Sequence, residues 1–160
     1  FFQILLFNMT IYGESVAEKY GDRIELLGIS FKDPLVLCQI LIAIFLCIVF
    51  IQSSVDKIID RQGNLVFLTN HFKNTFLIKL IGPLLTVLTL LELIGGLMLI
   101  YGIYYAFSAR TTLWIFYGFV VLAVTIILLL FGQRVAKDYI GAADLVPYFI
   151  LIMLGIMSMY

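Results

Sequence analysis

The stretch LIGPLLTVLTLLELIGGLMLIYGIYYAFSA, from Leu80 to Ala109, decides how the rest of the chain reads. Lys79 and Arg110 fence it off, and between them Glu92 is the only formal charge. A bilayer core about 30 Å thick takes roughly 20 helical residues. The stretch therefore reads as a membrane-spanning helix with Glu92 near mid-depth. An ionised carboxylate there costs on the order of 3 kcal/mol on insertion scales. Such a group must be protonated, paired or beside a water-filled cavity. That makes Glu92 a candidate proton-transfer residue; the alternative is a structural hydrogen bond to a neighbouring helix. On a helical wheel Gly82, Thr86, Thr89, Glu92 and Gly96 fall within about 120°. Small and hydroxyl side chains on one face allow close helix approach. Glu92 is thus expected to face the protein interior and to find a partner there, with Gln39, Gln52 and Ser53 as candidates.

Working outward, the composition agrees. Of 160 residues, 63% are hydrophobic and 12% charged, where a soluble domain is roughly half apolar and a quarter charged. Mean hydropathy is +1.13. The formal net charge is zero, so nothing points to nucleic acid as a partner. Cys38 and Cys47 lie in one apolar run, on opposite faces of a helix, and read as packing residues. His71, the lone histidine, makes no metal site by itself, and no metal is expected.

Residues 1–33 read as a separate arm. Phe1 to Phe7 is apolar but too short to span, and lacks the flanks of a secretory signal. Met9 is a plausible alternative start. Val16, Tyr20, Ile24 and Leu27 recur at helical spacing among acidic residues, an amphipathic pattern suited to the headgroup plane. A partner-contacting arm is the other reading. Asp33-Pro34 then looks like a helix start.

Four spans are expected over residues 34–160, at about 34–55, 76–107, 111–132 and 141–160. The expected fold is an all-α, up-down four-helix bundle in the membrane. Gly82-Pro83 is the expected kink, residues 64–75 a loop or short interfacial turn. The charged groups closing the first and third spans, Lys57, Asp60, Arg61, Arg134 and Lys137, are candidate binding residues; the alternative is a solvated helix end. Six Lys and Arg on the side of the first and third connections, against four opposite, favour both termini outside.

Three segments carry a family likeness: SSVDKIID closing the first span, LLELIGGLMLIYG in the second, and GQRVAKDYIGAADLVPYF after the third. In these the chain resembles the DoxX-like family of small four-span bacterial membrane proteins, over roughly Leu35 to Tyr160. Ser54 departs from the pattern, where glycine is expected. The resemblance implies a multi-pass protein of the bacterial inner membrane. It also implies association with redox or thiol-handling proteins, and in some members a quinone. No haem, flavin or iron–sulfur motif is present, so a self-sufficient redox enzyme is not expected. Three functions follow. One is an accessory subunit bound to other membrane proteins. Another is a quinone-interacting redox subunit, with Glu92 moving a proton and Lys57 or Arg134 lending positive charge. The last is a small-solute or proton carrier, which flux into proteoliposomes would reveal.

Overall fold

The computed structural model describes residues 24–26, 29–31, 34–109 and 111–160. Most of the N-terminal arm, including the apolar Phe1 to Phe7 stretch, lies outside the described residues. The six described residues of the arm form a hairpin, β1 (Ile24–Leu26) with β2 (Ile29–Phe31). This corrects the helical reading there. Both strands alternate apolar and polar residues. The antiparallel register pairs Ile24 with Phe31, Glu25 with Ser30 and Leu26 with Ile29.

The remainder is helical: α1 (Pro34–Ile59), α2 (Arg61–His71), a 3-10 turn (Phe76–Leu80), α3 (Ile81–Ala109), α4 (Leu113–Val135), α5 (Tyr139–Asp144) and α6 (Val146–Met157). Among the described residues four stretches are long and apolar enough to cross a membrane. They are Leu35–Ile59, Phe76–Ser108, Leu113–Val135 and Tyr139–Met157. The protein is a multi-pass membrane protein built as a helical bundle.

Four details refine or correct the expectation. The first span runs on through Ser53, Asp56 and Lys57, so those groups stand on helix α1 and not on a solvated end. Residues 61–71 are helical because the Asp60 carboxylate accepts from the Gly63 N–H at 3.0 Å and caps α2. At the expected kink site, Gly82-Pro83, the span changes helix type, from the 3-10 turn ending at Leu80 to α3 starting at Ile81. Pro83 falls in the first turn of α3, where a missing N–H costs little. The fourth span breaks at Leu145, because Pro147 cannot donate to Ala143 and its ring crowds that carbonyl.

Side-chain pairs set the up-down order. Lys57 meets Glu92 and Arg61 meets Thr86, so α1 leading into α2 runs antiparallel to α3. A methyl group on Gly102 would come 2.7 Å from the Ile115 backbone nitrogen; only glycine lets α3 and α4 meet backbone to backbone there. Gly118 lies against Leu99, and Gly155 against Phe119. The first two pairs make α3 and α4 antiparallel, and Gly141 lying against Gln133 at the near end makes the chain through α5 and α6 antiparallel to α4. Gln39 closes the ring by donating to the Ser158 carbonyl at 2.8 Å. Leu46, Leu85, Leu99, Ile115, Phe119, Leu122 and Ile152 are fully buried.

One end of the bundle carries an aromatic cluster. Tyr101 stacks on Tyr105 and meets Trp114 edge-on at 5.1 Å, and Trp114 meets Tyr117. Such rings sit at headgroup level. A core about 30 Å thick, at 1.5 Å per residue, then runs from Tyr101 down to about Ile81. Glu92 stands near its middle.

Candidate functional site

Glu92 projects from α3 into the bundle, with its side chain 2% exposed. Two residues of α1 meet it. Lys57 Nζ lies 3.0 Å from Oε1 and 2.8 Å from Oε2. Ser53 Oγ donates to Oε2 at 3.2 Å. Ser53 and Lys57 are four residues apart, so they share one face of α1, and Lys57 also donates to the Ser53 hydroxyl. One turn along, Gly96 has no side chain to hold Ile51 away: a methyl there would overlap the Ile51 side chain. That close approach is what lets a lysine reach a carboxylate deep in the bundle. The backbone turn before Lys57 is held by Ser54, fully buried, donating to the Ile51 carbonyl at 2.8 Å.

The electrostatics follow from burial. A lone carboxylate at this depth would forfeit its hydration with nothing in return. Two charge-assisted contacts to one ammonium, plus a hydroxyl, satisfy it. The Lys57 side chain is 20% exposed, so its stem is packed while its charge is held inward. The arrangement is a clasp joining α1 to α3. Chemically it holds one carboxylate and one ammonium in contact, with a hydroxyl bridging them.

The expectation of an inward-facing, partnered Glu92 is met, and Ser53 was among the partners named for it. Gln39 and Gln52 are not partners: Gln39 caps the end of α6 and Gln52 is exposed. The Gln39 Oε1 atom is buried without a hydrogen-bond partner among the described residues. Lys57 was expected among the charged groups closing the first span, and was not named as the counter-ion of Glu92. The available signal was the Ser53-x-x-x-Lys57 spacing, which continues the helical face of the first span.

The other charged candidates do not gather around Glu92. Asp60 caps α2. Arg61 donates to the Thr86 hydroxyl at 2.7 Å, more than a turn from Glu92 along α3. Arg134 lies over the Tyr139 ring at 4.8 Å. Lys137 takes a left-handed backbone, φ 61°, in the turn between α4 and α5. Thr86 and Thr89 donate back to carbonyls of their own helix, so of the hydroxyl face only Thr86 serves a neighbouring element, as acceptor.

A second polar cluster forms at the end of the bundle away from the aromatic rings. His71 Nε2 is 3.1 Å from Gln133 Oε1 and 3.6 Å from Asp138 Oδ2. Asp138 also accepts from the Gly141 N–H at 2.9 Å, capping α5. The cluster ties the end of α2 to the α4–α5 connection. Sequence reasoning left His71 without a partner, because 62 residues separate it from Gln133. Cys38 and Cys47 are not bonded to each other. Among the described residues no group of His, Cys, Asp or Glu is placed to hold a metal ion. Comparison with family models, with curated proteins and with solved structures finds nothing that matches this chain.

Proposed function

We propose that this protein is an accessory subunit of a larger, redox-linked complex in the bacterial inner membrane. The observation that supports this reading best is the closed clasp of Glu92, Lys57 and Ser53. The one acid in the middle of the bilayer has both oxygens engaged by its own bundle. It holds helices together, and chemistry then falls to a partner. The likeness of the SSVDKIID and LLELIGGLMLIYG segments to the DoxX-like family supplies the redox setting. Purification from the native membrane in mild detergent is expected to bring other membrane subunits with the chain. Migration as a lone monomer under those conditions would count against the reading.

A second reading is a quinone-linked redox subunit in which Glu92 holds the transferred proton. Its support is the partial exposure of Lys57, which joins the buried carboxylate to the bundle surface. The residues fit the group in kind: an ammonium to meet a quinone oxygen, and a carboxylate behind it. The quinone, when bound, would supply the two-electron chemistry. Quinol oxidation by the assembled complex is then expected to fall sharply in Glu92→Gln. An unchanged rate removes Glu92 from that role.

A further inference from the structure

The outer face of α1 carries a group that lipid cannot serve. Leu41, Phe45, Ile48, Gln52, Val55 and Ile59 recur every three or four residues and are exposed. Ala43, Leu46, Phe50 and Ser54, on the other side of the helix, are buried. Any lipid-facing helix shows such a stripe, and that of α4, through Val120, Val124, Ile127 and Phe131, is wholly apolar. Gln52 sets α1 apart. Its neighbour Ile51 lies against Gly96 of α3, so Gln52 stands inside the hydrocarbon layer that runs from Tyr101 to about Ile81. Its amide has no hydrogen-bond partner among the described residues.

The chemistry of that amide says what covers it. An amide carries both N–H donors and acceptor lone pairs, and hydrocarbon supplies a partner for neither. Two copies of one chain insert the same way up. Their α1 helices are then parallel, and their Gln52 residues reach the same depth. Each amide can donate to the carbonyl oxygen of the other across a two-fold axis. The stripe averages about 3.5 residues per step pair, the period at which two helices keep one seam in contact, and a single polar residue in such a seam fixes its register. Asp56, exposed one turn further on, lies beside the seam and can accept an amide hydrogen that the pair leaves over. In a parallel pair the two Asp56 side chains fall on opposite flanks. Ser53 and Lys57 are turned inward to Glu92, so the clasp is undisturbed.

We propose that the outer face of α1 is the surface through which two copies of this chain pair, their Gln52 amides hydrogen-bonded to each other. The pairing needs no other subunit and stands apart from the accessory-subunit reading. The test uses the full chain, with Cys38 and Cys47 replaced by Ala, in phosphatidylcholine vesicles at high lipid-to-protein ratio. Single cysteines are introduced and oxidised with copper phenanthroline. Ile48→Cys, one turn from Gln52 in the seam, is expected to give several-fold more disulfide-linked dimer than Val124→Cys, exposed on the apolar stripe of α4. Adding Gln52→Leu should cut the Ile48→Cys dimer several-fold, while Gln52→Asn should keep most of it. Circular dichroism should show the same helix content in all variants, because the Gln52 side chain supports nothing within its own bundle. Equal cross-linking at Ile48→Cys and Val124→Cys overturns the proposal, as does a dimer that Gln52→Leu leaves undiminished.

Discussion

Glu92 and Lys57 are worth more as a pair than either is alone. Taking one partner away leaves a buried charge uncompensated, which costs about 3–5 kcal/mol in soluble proteins, while replacing both by apolar residues is often neutral. Lys57→Met is therefore expected to destabilise the bundle by about 3 kcal/mol, and the Lys57→Met, Glu92→Leu pair to recover most of that loss. Denaturant titration of the detergent-solubilised protein, followed by circular dichroism, measures both. A single variant as stable as the parent would mean the clasp contributes nothing. Ser53 is secondary: it orients the ammonium and fills one acceptor site on Oε2.

At the scale of the helices, packing is decided where backbones touch. Gly102 allows α4 to approach α3 at Ile115, and a methyl there must push the backbone aside. Gly102→Ala is expected to cost about 1–3 kcal/mol through overpacking. Gly82, in the same helix, meets nothing within 4 Å. Gly82→Ala should be neutral or gain up to about 1 kcal/mol from helix propensity. The contrast in midpoint between these two variants checks the packing directly; equal effects would contradict the register of α3 against α4. Helix starts were legible where local chemistry sets them, as at Pro34. The extent of α2 was not, because its polar sequence carries no periodic apolar stripe, and its cap needs only the local Asp60 to Gly63 bond.

For the whole molecule, four antiparallel crossings put the first and third connections on one side of the membrane and the second on the other. Six basic residues on the first side against four on the second favour the cytoplasm for that first side by the positive-inside rule, and the orientation is a prediction to be tested. Single cysteines are therefore expected to resist an impermeant reagent applied outside intact cells at Asn74 and Lys137, and to react with it at Thr111. These tests require a background in which Cys38 and Cys47 are replaced. Labelling of Asn74 and Thr111 from the same side would break the up-down order. The sequence alone determined that the chain is a helical membrane protein with four spans, because the cost of burying charge in hydrocarbon dictates where charges are absent for twenty residues at a time. It also determined that Glu92 turns inward, since a carboxylate at mid-depth has no tolerable place against lipid. Only the tertiary structure decided that Lys57 is its counter-ion and that His71 meets Gln133 and Asp138. Those outcomes depend on the register between helices, which Gly96, Gly102 and their neighbours set through contacts across tens of residues, and no local pattern encodes a register of that kind.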